Sequence, residues 1–574
     1  MNKNPISLST PLSHLFSKLS NTTALATLAV IFGSMTALTA CSVKTIEQVS
    51  TSKVEASGAT NFDTVYNAIS KDQLINHIKV LASDEFGGRA PATAGEKLTL
   101  DYVSAELTAA GFSPGNGDSF LQKVDLMEIN ADPEMTLSMG NQIFTYKQGM
   151  VASSKREVSE INVNNSDIVF LGYGVNAPEY DWNDYEKADV KGKTVIVLVN
   201  DPGFANTQGS AFEGETMTYY GRWSYKYEEA SRQGAEAVFI VHETAPASYG
   251  WSVVAHSWSG PQYGLVSSDA GADRVAVEGW LSYDAAVKVF SESGLNFEVE
   301  KANAQKGSYA KALSSKASIT IKNQIEKSKS YNVFATLAGT QMPDEHIIYT
   351  AHWDHLGTDT SKEGDQIYNG ARDNATGVGA ILSMAKAFAS LDRAPKRSVS
   401  MLIVTAEEQG LLGSKYYVEN PIVPLAKTVA NINMDALSIL GQTKDVAVIG
   451  MGKSELEIYL EKAATKQGRI LTQESKPQAG YYYRSDHFSF AKFGVPALYA
   501  KGGSQPIDEE AAIYRKRMNV IATGCYHQVC DQYRDSWNVM GMVEDTQLLF
   551  DVGFQLANTE TWPQWNKTSE FQRP

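Results

Sequence analysis

Three stretches of this 574-residue chain place acids or histidine directly after an apolar, β-branched run. Ile347-Ile348-Tyr349-Thr350-Ala351 leads into His352-Trp353-Asp354-His355, Val404-Thr405-Ala406 into Glu407-Glu408, and Ala430-Asn431-Ile432-Asn433 into Met434-Asp435. Read as parallel strands, the three runs aim these side chains at one sheet edge, the carboxyl edge where open α/β sheets bind ligands. Carboxylates gathered out of water are costly unless cations accompany them. A pair of divalent metal ions removes that cost, and a mixture of carboxylate and imidazole suits zinc. Which of Glu407 and Glu408 is the ligand and which the base is left open by spacing alone.

The elements that must position these residues follow from periodicity. Leu74, Ile78 and Leu81, then Leu98, Tyr102, Leu107 and Ala110, recur at helical spacing between Lys71 and Gly111, interrupted by the Gly- and Pro-containing loop Asp84 to Pro91. Residues 121–150 read as strands, with Phe144 and Tyr146 alternating with Thr145 and Lys147 and their core unassigned. Residues 166–324 read as a separate unit, with strands at Asp167 to Tyr173 and Lys193 to Val199, a helix at Tyr227 to Gln233, and a strand ending at Val241. Leu171-Gly172-Tyr173-Gly174 is a glycine-containing turn rather than a ligand loop, because two glycines define no such site. From Tyr331 onward, strands (His346 to Ala351, Ser398 to Ala406, Thr428 to Met434, Val495 to Ala500) alternate with helices (Thr376 to Ser390, Ser454 to Gln467, Glu544 to Asn558). That order predicts an α/β fold, a mostly parallel sheet with helices on both faces.

Six motifs in order make the chain resemble a known family: His352-Trp353-Asp354, Arg372 to Gly377, Ala406 to Ser414, Asn433-Met434-Asp435, Arg484-Ser485-Asp486-His487 and Tyr526-His527. The chain resembles the co-catalytic two-zinc aminopeptidase and glutamate carboxypeptidase family, in particular bacterial members with an inserted protease-associated domain. The resemblance implies a three-layer zinc-exopeptidase fold built from residues 66–165 and 325–574, interrupted by a β-rich protease-associated insert over 166–324. It implies two Zn2+ per chain, one held by His352 and Asp435, the other by Glu408 and His527, with Asp373 bridging. Glu407 would be the general base that activates a metal-bridged hydroxide against a peptide bond, most plainly at the amino end of the substrate. Tyr526 would donate to the oxyanion, Arg484 would bind substrate, and Asp354 would accept a hydrogen bond from the distal nitrogen of His352. The insert would sit near the cleft and cover it, restrict entry to peptide ends, or recruit substrate.

Other residues have plainer readings. His355 and His487 flank the motifs without falling on ligand positions, and His77, His242, His256 and His346 are structural. Ser485-Asp486-His487 is no serine-protease triad, since triads assemble from separate segments. Tyr481, Tyr482 and Tyr483 either wall the cleft or pack beside it. Two rival functions remain: a glutaminyl-cyclase-like acyltransferase, whose relatives use one zinc, and a non-catalytic, receptor-like binding protein.

The whole chain sets the context. Its length calls for two or three domains. A net charge of −15 argues against nucleic-acid partners. Lys3 and Lys18, the apolar run Ala24 to Leu38, and Leu38-Thr39-Ala40 before Cys41 read as a lipoprotein signal peptide over residues 1–40, with lipid on Cys41 and a tether over 41–65. Ser42 after that cysteine resembles the sorting signal of outer-membrane lipoproteins. Cys525 and Cys530 are then a natural disulfide pair in an exported protein, closing a loop around His527.

Overall fold

The computed structural model describes residues 61–205, 212–567 and 569–573. The leader, Cys41 and most of the tether lie outside them. Among the described residues no helix is long and apolar enough to cross a membrane.

The helical pattern at the start is realised as Lys71–Leu81 and Ala94–Ala109, with Leu74, Ile78, Leu81, Val103 and Leu107 buried. Ser70 opens the first of these with a reciprocal capping box to Gln73, satisfying backbone groups that a helix start leaves free. In the intervening loop Gly88 has φ +71, and a Cβ there would come within 2.4 Å of the Gly357 carbonyl oxygen. Only glycine lets that loop close onto the segment after His352.

The sheet that carries His352 runs, in spatial order, Leu121–Ala131, Lys311–Leu337, Arg397–Val404, Met342–His352, Thr428–Asn433, Ala497–Gly502, Asp445–Val448 and Ile470–Gln473. The central four of these strands are mutually parallel. Such strands are covered on both faces, which is why they read as unbroken apolar runs. Ile347, Tyr349 and Ala351 face one core with the helices Thr376–Ala389, Leu456–Lys466 and Met540–Asn558. Ile348, Leu402 and Val404 face the other, with the helices Leu412–Glu419 and His487–Lys492.

Strands on both sides of residue 166 share a second sheet and core. Thr136–Met139, Gln142–Thr145 and Met150–Ser153 belong to that sheet, and Leu137, Met139, Phe144 and Met150 lie in that core. Each of these segments is too short to reveal from pattern which core it feeds. The unit is also α/β rather than simply β-rich. Glu160–Phe170, Thr194–Leu198, Ala237–Val241 and Val277–Leu281 are parallel neighbours, accompanied by the helices Trp223–Arg232, Tyr283–Glu292 and Phe297–Ala304.

Two features tie the units together. The 27-residue strand Lys311–Leu337 pairs with Glu160–Phe170 in its first part, and with Leu121–Ala131 and Arg397–Val404 further on. The insert also docks on the segment that carries Arg484. Tyr219 packs its ring 6.1 Å from Tyr483 and 5.2 Å from Phe488, the Met217 N–H donates to the Pro477 carbonyl at 3.3 Å, and Lys492 meets Glu228 at 2.7 Å.

Candidate metal centre

His352, Glu407, Glu408 and Asp435 stand at or just past strand ends, whereas Asp373 comes from the turn Ala371–Ala375 and His527 from the loop after the helix Glu509–Gly524. His352 is the last residue of its strand and 1% exposed. Its Nε2 lies 3.2 Å from Asp373 Oδ1 and 3.5 Å from Asp435 Oδ1, with Glu407 Oε2 at 3.9 Å. Across the cluster, His527 Nε2 lies 3.3 Å from Asp373 Oδ2 and 2.9 Å from Glu408 Oε2. Asp373 therefore turns one oxygen to each histidine.

The loops are locked by backbone bonds. Arg372 and Asp373 donate their N–H groups to the Asp531 carboxylate, and the Asn374 side chain donates to the Met434 carbonyl while accepting from the Ala436 N–H. Asn374 thus clamps both neighbours of Asp435. Ala406, Ala436 and His527 all have positive φ, the sharp turns that bring side chains from three segments to one point. His527 sits in a loop closed by the Cys525–Cys530 disulfide, whose Cα atoms are 5.2 Å apart.

Asp354 acts differently from expectation. The atom facing His352 Nδ1 is its backbone carbonyl, at 3.1 Å, whereas its carboxylate stands 3.8 Å away. That carboxylate instead accepts the N–H groups of Glu407 at 3.0 Å and Glu408 at 3.3 Å. The loop turns back onto the next strand end, so the acid braces the two glutamates rather than the imidazole.

Charge crowding dominates the site. Burial, with Asp435, Glu408 and Asp486 close by, pushes the Glu407 carboxyl well above the usual range despite the opposing His352. Burial opposes charge on His352 and His527 too, yet the surrounding carboxylates outweigh it, raising His352 well above its ordinary value and His527 to about 10. Asp373 is held well below the carboxylate range because both imidazoles outweigh its burial. Such a nest of acids attracts cations.

The residues suit a divalent cation. Ligand atoms on a tetrahedral zinc with bonds of about 2.0–2.1 Å lie about 3.3 Å apart. The spacings of His352 to Asp373 and Asp435, and of His527 to Asp373 and Glu408, run from 2.9 Å to 3.5 Å. His352 Nε2 and His527 Nε2 are buried without a directed hydrogen bond, as atoms meant for a cation would be. Among the described residues, His352, Asp373 and Glu408 form one group able to hold an ion, and His352, Glu407 and Asp435 another.

The remaining named residues divide. Tyr526 is 53% exposed and stacks 3.9 Å over the His527 ring, at the solvent side of the cluster. Arg484 does not pair with Asp486. It donates to the Ala479 carbonyl at 2.7 Å and lies over the rings of Tyr481 and, from the insert, Tyr249. Asp486 is buried with both oxygens unpartnered, its carboxyl pushed up to about 7 chiefly by burial. Ser485 accepts from Asn433, and His487 is wedged between Tyr482 and Tyr499, so the three neighbours form no triad. Tyr482 and Tyr483 are buried packing residues, whereas Tyr481 is exposed.

Several contributors carried no recognisable sequence signal. Asp531, just past the second cysteine, holds the Asp373 loop. Arg89, 1% exposed, donates to the carbonyls of Trp353, Leu81, Asn369 and Gly370, stitching the loops on either side of the cluster. His355, set aside on its position, meets Glu408.

A parallel sheet whose carboxyl edge gathers imidazoles and carboxylates in this way defines the class, that of α/β folds with a metal site at the strand ends. More narrowly, residues 332–550 match the model of Peptidase family M28. A "Probable zinc metalloprotease" of Pyricularia oryzae is 34% identical over 113 residues, 20% of this chain and 20% of the relative. The chain thus spans about one fifth of that relative's length. A "probable leucine aminopeptidase 2" of Aspergillus oryzae is 24% identical over 496 residues, covering 85% of this chain and 83% of the relative. Among solved structures, an aminopeptidase from Aneurinibacillus sp. strain AM-1 aligns over 89% of this chain and 99% of its own, with 17% identity and a TM-score of 0.47.

Proposed function

We propose that the protein is a zinc-dependent aminopeptidase with a two-zinc centre. The observation that carries the reading is the divided carboxylate of Asp373, one oxygen toward His352, which also faces Asp435, and the other toward His527, which also faces Glu408. His352 and Asp435 would hold one ion, Glu408 and His527 the second, and Asp373 both. Zinc there would polarise a peptide carbonyl and make water acidic enough to lose a proton near neutral pH.

The chain's own groups do the rest. Glu407 lies against the His352 trio without being needed as its third ligand, so its carboxylate is free to take the proton of the attacking water and return it to the departing amine. The Tyr526 hydroxyl, at the exposed side of His527, donates to the oxyanion that forms on the attacked carbonyl. Arg484, at the seam with the insert, contacts the substrate further from the scissile bond. The relatives' names support the amino end as the point of attack.

The same reading puts the protein at a membrane through lipid on Cys41, which the residues before that cysteine support, and facing the periplasm or the outside. Incorporation of labelled palmitate, lost in Cys41→Ser, tests the anchor. For the activity, a mixed peptide library digested with zinc-loaded protein should shorten from its amino ends by mass spectrometry, and stop when a chelator is added. Shortening from carboxyl ends would reassign it as a carboxypeptidase, and cyclisation of amino-terminal glutamine with one zinc per chain would make it an acyltransferase.

A further inference from the structure

His355 is fully buried, three residues beyond His352 in the same loop. Its Nδ1 lies 2.6 Å from Glu408 Oε1, while the other oxygen, Oε2, faces His527 Nε2 at 2.9 Å. An ionised carboxylate only accepts, so Nδ1 is the donor. His355 Nε2 is buried without a partner, which leaves the bond to Glu408 as the ring's one polar contact among the described residues. The ring is also fixed in place. Its backbone N–H donates to the Arg89 carbonyl, and Gly370, at φ +58, leaves room for it, since a Cβ there would come within 2.6 Å of the imidazole.

We propose that His355 is a positioning residue for Glu408. By engaging Oε1 it leaves that carboxylate a single oxygen to offer beside His527 and Asp373. The centre on that side then has three protein ligand atoms, Glu408 Oε2, His527 Nε2 and Asp373 Oδ2, and keeps a position open for water and substrate, as hydrolytic zinc sites do. Without the donor, both Glu408 oxygens are free to swing, and the carboxylate loses the partner that fixes its plane. The inference rests on the reading of Glu408 as a metal ligand.

The test is zinc binding itself, measured on the full chain by competition with a chelator of known affinity and by metal content per chain, alongside kcat and KM. Wild type should hold two zinc ions. His355→Leu should keep the first with unchanged affinity and bind the second about ten- to a hundredfold more weakly, as loss of an outer partner typically does. His355→Asn, whose amide N–H can stand where Nδ1 stands, should recover most of that loss, which a purely packing role would not predict. Equal second-site affinity in wild type and His355→Leu overturns the inference. If the leucine variant does not fold, His355→Ser is compared with His355→Asn, and equal affinities there overturn it as well. A wild-type protein that takes up fewer than two zinc ions defeats the ligand reading of Glu408 instead, and the inference with it.

Discussion

The Asp531 carboxylate accepts the backbone N–H of Asp373 at 3.1 Å, so the loop that ends the disulfide-closed turn also holds the carboxylate that stands between His352 and His527. Asp531 is buried, and it accepts the Arg372 N–H as well. Asp531→Ala strands both donors, at a cost of roughly 1–3 kcal/mol in stability. Zinc retention under dialysis should fall with it. Wild-type retention in a folded variant would mean that the Asp373 loop holds its shape unaided.

Glu407→Gln removes the proposed base while keeping size and polarity. Turnover should drop by about 10²- to 10⁴-fold, the usual worth of general-base catalysis, with zinc content per chain unchanged. Retained turnover would take Glu407 out of that role.

The Cys525–Cys530 bond closes a loop with four residues between the cysteines, around His527. By loop-closure entropy so short a bridge is worth about 2 kcal/mol. Cys525→Ser with Cys530→Ser should lower the denaturation midpoint accordingly and weaken the zinc on the His527 side, leaving the His352 side nearly unaffected. Metal titration of the reduced protein reads both effects.

His346 lies in the strand Met342–His352, where it pairs with Ser398 of the parallel neighbour, and its Nδ1 lies 2.8 Å from Ser400 Oγ. Burial lowers its pKa from 6.5 to about 4. The folded state therefore prefers the neutral ring. The associated stability is complete above pH 6.5 and is lost as the pH falls toward 4, amounting to about 2 kcal/mol by pH 5. Urea midpoints between pH 7.5 and 5 should fall more steeply in wild type than in His346→Asn. Parallel profiles would assign the acid sensitivity to other groups.

Tyr219→Ala should loosen the seat of the insert, because that ring packs against Tyr483 and Phe488. The loss is roughly 2–3 kcal/mol. Hydrogen exchange over residues 476–492 should quicken, and if the insert limits access to the cleft, longer peptides should become relatively better substrates. Unchanged length preference with quickened exchange would remove the gating role while leaving the interface intact.

The parallel sheet was legible because strands covered on both faces must be apolar throughout, and Ile347 to Ala351 is such a run. The acids and histidines that end these strands were legible for the same reason: they break the run abruptly. Which core Thr136–Met139 and Gln142–Thr145 serve was hidden, because short half-buried strands read alike whichever core they feed. The Asp354 carboxylate was assigned to the wrong neighbour, since adjacency in sequence says nothing about the backbone N–H groups of Glu407 and Glu408 that the next strand brings to it. His355, Asp531 and Arg89 act through contacts between segments far apart in sequence, which spacing alone does not encode.

The strand Lys311–Leu337 bears on how such a chain could be inherited. Domain insertions ordinarily meet their hosts at flexible linkers, where a cassette can be cut and pasted. Here one exit from the insert is the middle of a continuous hydrogen-bonded ladder that serves both sheets, and Pro261–Leu265 of the insert adds a further strand to the host sheet beside Leu121–Ala131. No cut in that ladder spares both halves. Swapping the insert between relatives would therefore carry host strands with it, so that the two units must diverge together, and chimaeras joined at residue 324 should fail where those joined beyond Leu337 succeed.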